Sequence, residues 1–278
     1  MKNLRQIKDL LKNIAKEKNI NSQILLKNYM IHRLLKRIYL SKFNKIFIIK
    51  GGVLITGIIG VQSRTTIDLD TTIKSFNINE NSLKLIFEKI FSINIDDVKF
   101  NINYIEKTRF EDKYDGYRIA IIASLEQAKI PIKVDITTGD KITPHEIKFP
   151  FKLLLEDNII KINAYNIETL ISEKLETVIS RSVVNTRMKD FYDIHMLLKT
   201  KNIIINYTLL KRALKETSKH RGSYNLLKNG KTIISDIFND KDMKTHWTRY
   251  KNNYSYASDI EWKQIENSIN NLWDNLNI

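Results

Sequence analysis

From Ile46 to Ile59 the chain is almost wholly apolar, broken by Lys50 and the Gly51-Gly52 pair, and this interrupted run constrains the fold more than any other stretch. It is too short to span a bilayer and too apolar to be a surface loop. Lys45 to Ile49 reads as a short strand, the glycines end it, and Val53 to Ile59 suits a helix packed behind it. Next comes Thr65 to Ile73, which alternates like a strand. Side chains repeat every two residues there, so Asp68 and Asp70 share one face while Ile67, Leu69 and Thr71 take the other. Helical spacing over residues 4–18, 22–41 and 81–91, with further strands at Asp97 to Ile105, Tyr117 to Ser124 and Ile130 to Thr137, predicts an α/β (α+β) domain whose mixed sheet is flanked by helices. Pro144 and Pro150 punctuate a loop. Beyond Asn166 the pattern is almost wholly helical, which predicts an N-terminal domain over 1–160 and a helical domain over 161–278, with a cleft between them as the expected active site.

The chain has no cysteine, which excludes disulfides, thiolate metal sites and cysteine nucleophiles, and fits a reducing compartment. The first residues carry charges too closely spaced for the apolar core of a signal peptide, so a cytoplasmic protein with no membrane partner is expected. The formal charge is +15, which favours polyanionic partners such as nucleic acid. A chain crowded with Lys, Asn and Ile gains basicity from genome composition alone, so a merely solvated basic surface is the alternative. The histidines show no metal-ligand spacing, and zinc is not expected.

An Asp-x-Asp pair on one strand face sets two carboxylates side by side, an arrangement that repulsion disfavours unless a cation or proton neutralises it. Magnesium, which prefers oxygen ligands, suits such a pair. The Lys50-Gly51-Gly52 turn lets backbone approach closely and presents free helix N-terminal amides to a phosphate. Asp135, on the apolar Lys133-Val134-Asp135-Ile136 strand, needs a partner for its charge, which a metal would supply. Arg64 stands an even number of residues before Asp68. If the strand extends that far, its guanidinium reaches the same face, to bind phosphate or to pair with a carboxylate. Lys174 lies close to the apolar side of the helix Ile167 to Arg181, so it either snorkels or aims its ammonium at a triphosphate. On the helix opened by Arg187-Met188-Lys189-Asp190, the wheel sets Asp190 beside the apolar face and Asp193 nearly opposite it, which favours Asp190 as the functional carboxylate. Trp247, Tyr250, Tyr254, Tyr256 and Trp262, interleaved with Lys244, Arg249 and Lys251, are either a helical core or a surface on which RNA bases stack.

A glycine pair opening a helix, an Asp-x-Asp strand and a third Asp on a neighbouring strand together resemble the nucleotidyltransferase superfamily. Gly-Gly in place of the commoner Gly-Ser, and the longer interval to Asp68, fit one family within it. Lys50-Gly51-Gly52-Val53-Leu54, Arg64-Thr65-Thr66-Ile67-Asp68-Leu69-Asp70, Val134-Asp135-Ile136 with Gly139-Asp140, and the later Glu173-Lys174-Leu175 and Lys189-Asp190-Phe191-Tyr192-Asp193 segments resemble the AbiEii/AbiGii toxins, which include the MenT toxins. The resemblance implies a nucleotidyltransferase fold and the toxin half of a toxin–antitoxin or phage abortive-infection system. It implies transfer of a nucleotide from a nucleoside triphosphate, in some members to the 3′ end of tRNA, and a cognate antitoxin encoded nearby. The reaction expected is attack of an acceptor hydroxyl on the α-phosphorus with release of pyrophosphate. Asp68 and Asp70 would hold two Mg2+ ions, and Asp135 would ligate one and orient the hydroxyl. Lys174 would neutralise the triphosphate and Asp190 would position Lys174 or the nucleotide, with Lys50, Gly51, Gly52, Arg64 and Asp193 completing the nucleotide site. Two rival functions are a nucleotidyltransferase acting on a small molecule or a protein, and a non-catalytic basic protein that binds nucleic acid.

Overall fold

The computed structural model describes residues 3–74, 78–108 and 116–278. The chain divides into two compact units, one of Met1–Gly139 with Ile147–Ala164 and one of Asp140–Glu146 with Tyr165–Ile278. Among the described residues, no helix is long and apolar enough to cross a membrane.

The first unit opens with α1 (Leu4–Glu17) and α2 (Ser22–Leu40), whose N-termini are capped by Asn3 and Asn21. Its strands are β1 (Phe47–Lys50), β2 (Asp68–Ile73), β3 (Lys99–Lys107), β4 (Gly116–Leu125), β5 (Ala128–Thr138), β6 (Ile147–Lys152) and β7 (Ile159–Ala164), with α3 (Gly51–Ile59) and α4 (Glu80–Phe91) between them. Among the described residues these strands form one sheet in the order β3-β4-β5-β2-β1-β7-β6. The β2–β5 and β1–β7 pairs are parallel and the other pairs antiparallel, so the sheet is mixed. Register puts Phe47, Ile49, Leu69, Ile73, Ile119, Ile121, Val134 and Ile136 on one face, where all are buried. Phe87 of α4 meets Phe47 edge-on at 5.8 Å, and Leu35 and Ile38 of α2 line one small cavity with Phe47 and Ile49. The opposite face carries Lys50, Asp68, Asp70, Lys133 and Asp135.

Two arginines are buried in α2 for a structural reason. Arg37 donates to the carbonyls of Ile93 and Val98 and to Asp96, so its guanidinium supplies donors to backbone that burial would otherwise leave unbonded, while Arg33 pairs with Asp96 and Glu156.

The last two strands of this sheet differ from the sequence reading. The stretch read as a loop around Pro144 and Pro150 contains β6 and is followed by β7. Pro150 is tolerated because β6 is the edge strand, where a missing N–H can face away from the sheet. Likewise, Pro131 sits in the interior strand β5 just ahead of the point where β2 begins to pair with it.

The second unit is helical. It comprises α5 (Ile167–Arg181), α6 (Met188–Lys199), α7 (Tyr207–His220), α8 (Gly230–Asn239), α9 (Lys241–Asn253) and α10 (Trp262–Leu276), with short 3-10 turns between some of them. Leu170, Ile171, Leu175, Phe191, Ile194, Leu210 and Leu214 are fully buried. The aromatic run near the C-terminus resolves mostly as core. Trp247, Tyr250 and Trp262 are buried, with Trp262 packed 4.7 Å from Phe238, whereas Tyr254 remains 40% exposed.

Candidate active site

The sheet register brings together the three candidate aspartates of the first unit, Asp68, Asp70 and Asp135. Asp70 at β2 is the direct partner of Asp135 at β5, and Asp68, two residues earlier, shares their face. Partial burial raises the pKa of Asp68, and the charge of Asp135 raises it further; Lys133, Lys27 and Arg118 work against that rise. Lys133 stands opposite Asp68 in the register, and Lys50 stands opposite Asp70 at the end of β1.

The glycine pair is shaped around Asp70. Gly51 has φ +60°, and a Cβ placed on it would fall 2.0 Å from Asp70 Oδ2. Gly52 donates its backbone N–H to the same oxygen at 3.2 Å, and a Cβ there would fall 2.5 Å from Thr66 Oγ1. Because Gly51 and Gly52 open α3, Asp70 accepts one of the amides that a helix N-terminus leaves unpaired. The strand does not extend back to Arg64: β2 begins at Asp68. Arg64 instead arrives through the loop. It is buried, Thr56 donates to its carbonyl at 3.1 Å, its guanidinium donates to the Thr65 carbonyl, and one terminal nitrogen lies 3.5 Å from the position of a Gly52 Cβ.

Arg118 of β4 was not singled out in the sequence. It stands opposite Asp135 in the β4–β5 register and makes a bidentate pair with it, Nε to Oδ1 at 2.8 Å and Nη2 to Oδ2 at 3.0 Å. Asp135 raises the guanidinium pKa further above its ordinary value. The available signal was a polar residue at an even position in a strand whose odd positions, Tyr117, Ile119 and Ile121, are apolar.

The donor set fits a hard divalent cation in chemistry, with three carboxylates on one face of adjacent strands. Among the described residues, no three acidic or histidine side chains converge into a ready-made cage. Two physical causes are visible. Asp135 faces Arg118, and Asp70 faces the Gly52 amide.

In the second unit, Lys174 of α5 lies between two carboxylates of α6, 2.8 Å from Asp190 and 2.7 Å from Asp193, and Arg187 adds a second cation to Asp190 at 2.9 Å. The Lys174, Asp190 and Asp193 side chains are 11%, 3% and 0% exposed. Burial acts to lower the Lys174 pKa, but the two carboxylates outweigh it and the pKa rises. Burial likewise acts to raise that of Asp190, yet Lys174 and Arg187 bring it down to about 2. The helical wheel therefore misplaced Asp193. Residues three apart are neighbours on a helix surface, and α6 is buried on most sides, with Asp193 itself fully buried, so Asp193 does not take the wet face that the wheel assigned to it. Asp140 accepts from the buried Tyr165 hydroxyl at 2.9 Å.

No curated protein matches the chain. Two Helicobacter pylori crystal structures resemble it. One is of a protein to which nucleotidyltransferase activity is ascribed, 16% identical, covering 92% of this chain and 95% of that one with a TM-score of 0.49. The other is of JHP933, 16% identical, covering 91% of each chain with a TM-score of 0.48. The family described as nucleotidyl transferase AbiEii toxin, type IV TA system, matches residues 33–269, and this stretch includes the glycine turn, the three sheet aspartates and the lysine-centred cluster. The chain belongs to the AbiEii family of nucleotidyltransferase toxins of type IV toxin–antitoxin systems.

Proposed function

We propose that the protein transfers a nucleoside monophosphate from a nucleoside triphosphate to an acceptor hydroxyl, the acceptor being the 3′ end of tRNA, and thereby blocks growth as the toxin of a toxin–antitoxin pair active in phage defence. The observation that carries this reading is the alignment of Asp68, Asp70 and Asp135 on one sheet face beside a glycine turn at a helix N-terminus. The charges of Lys27, Lys133 and Arg118 all bear on Asp68, and Lys50 stands opposite Asp70, so basic groups border the carboxylates. Such a mixture suits a triphosphate: carboxylates for its metal, cations and amides for its oxygens.

Asp68, Asp70 and Asp135 would hold magnesium, two ions in this reading, and bound magnesium would supply Lewis-acid polarisation of the phosphoryl group and a lowered pKa for the acceptor hydroxyl. Asp135 also orients that hydroxyl. The glycine amides and Arg64 bind phosphate, and Lys174, fixed by Asp190 and Asp193, is assigned to the triphosphate as well. The charge of +15 favours an RNA acceptor over a small molecule.

The test is incubation with labelled triphosphates, magnesium and total RNA. Label is expected in an RNase-sensitive product of tRNA size, and Asp70→Asn should reduce its formation at least ~100-fold, about 2.7 kcal/mol of transition-state stabilisation. An RNase-resistant product would move the acceptor to another class, and undiminished transfer by Asp70→Asn would remove the site assignment.

A further inference from the structure

Five strands contribute one row of charges across the sheet. Glu106 of β3 is the register partner of Arg118, Arg118 of Asp135, Asp135 of Asp70, and Asp70 of Lys50. Within the row, the guanidinium of Arg118 has an acid on either side. Its Nε and Nη2 hold both oxygens of Asp135, and its Nη1 lies 3.8 Å from Glu106 Oε1. The pair is accessible, with Arg118 36% and Asp135 30% exposed, so it can open without disturbing the core.

A carboxylate held at both oxygens by a guanidinium cannot also turn fully toward Asp68 and Asp70. Without Arg118, however, Asp135 would lose the cation that holds both its oxygens, whereas Lys133 and Lys50 stand opposite the other two carboxylates. We infer that Arg118 is a positioning residue that serves as the resident counter-cation of Asp135, so that a divalent ion binds the carboxylate trio by exchange: Asp135 turns from Arg118 to the metal, and the guanidinium passes to Glu106. This inference rests on the trio binding metal, as proposed above. Each half of the exchange has its receiving group already in register, with Asp70 on one side of Asp135 and Glu106 on the far side of Arg118.

The exchange differs from a simple field effect in what lysine does. Arg118→Lys keeps the charge and loses the bidentate hold, so a field effect predicts unchanged metal affinity and an exchange predicts tighter binding. Mn2+ titration of the chelator-stripped full-length protein, read by loss of free Mn2+ electron paramagnetic resonance signal, measures this without turnover. The expected result is binding tightened roughly two- to fivefold in Arg118→Lys, the scale set by a partly exposed ion pair, and by at least as much in Arg118→Gln. Glu106→Gln, which removes the receiving group, should weaken binding by a similar factor. Arg118→Lys binding Mn2+ like the wild type or more weakly overturns the exchange while leaving the metal site standing. Wild-type protein that binds no Mn2+, or Asp70→Asn that binds it undiminished, overturns the metal reading and the exchange with it.

Discussion

Gly51→Ala isolates the reason for the glycine pair. Alanine at φ +60° costs about 1–2 kcal/mol as backbone strain. The added methyl would also fall 2.0 Å from Asp70 Oδ2 and 2.7 Å from Asp70 Cβ, so β2 or α3 must shift, and overpacking of that kind costs roughly 1–3 kcal/mol. The expected loss is therefore ~2–5 kcal/mol, a large share of the stability of an ordinary domain. Urea unfolding should be followed by far-UV circular dichroism, because all three tryptophans (Trp247, Trp262, Trp273) lie in the helical unit and their fluorescence reports on that unit. The two contributions separate in a double-mutant cycle. In an Asp70→Gly background every Asp70 side-chain atom that the new methyl would strike is gone, so the cost of Gly51→Ala should fall to the backbone strain alone. An equal cost in both backgrounds would refute the idea that Gly51 is a glycine on account of Asp70.

Other perturbations follow from the same geometry. Lys174→Met leaves two buried carboxylates without their cation and should destabilise the helical unit by roughly 3–5 kcal/mol at neutral pH, read by tryptophan fluorescence in urea. Asp190 has its folded pKa lowered to about 2, so its stabilisation is complete above the unfolded value near ~4 and is lost as pH falls from there toward 2; in Asp190→Asn the unfolding free energy should lose that part of its acid dependence. His32 is buried and neutral, its pKa lowered to about 3 by burial and then by Arg33, with Nδ1 accepting the Leu154 N–H at 3.0 Å. Because the folded state resists protonation, stability present above the unfolded pKa near ~6.5 is lost as pH falls through 6.5 toward 3, and His32→Gln should move the acid-unfolding midpoint downward.

The elements that declared themselves in the sequence are those whose pattern is local. α2 has apolar residues at helical spacing along its length, and β2 alternates strictly enough to set Asp68 and Asp70 on one side. β6 did not, because Pro150 reads as a breaker unless the strand is known to lie at an edge, and edge position is a property of the whole sheet. Asp193 failed for a related reason. A helical wheel assumes one buried stripe and one wet face, and α6 is enclosed on most sides, so the partner of Asp193 is a lysine of α5 rather than water.

Arg118 shows where the boundary between legible and illegible runs in the site. β4 and β5 form a hairpin joined by the two residues Glu126 and Gln127, with Leu125 opposite Ala128. Arg118 lies seven residues before Leu125 and Asp135 seven after Ala128, so locating the turn is enough to set the guanidinium opposite the carboxylate. The turn escaped notice because two-residue hairpin turns with positive φ are recognised by Asn-Gly or Asp-Gly, and here a glutamate takes φ +49°. Local alternation could therefore find each acid of the site, and a correctly placed turn could have found the base that holds one of them. The parallel pairing of β2 with β5, which sets Asp70 beside Asp135, is of another kind. No short turn joins those strands, so the acids meet only because the chain between them closes a long loop to bury Leu69 and Val134 on the opposite face.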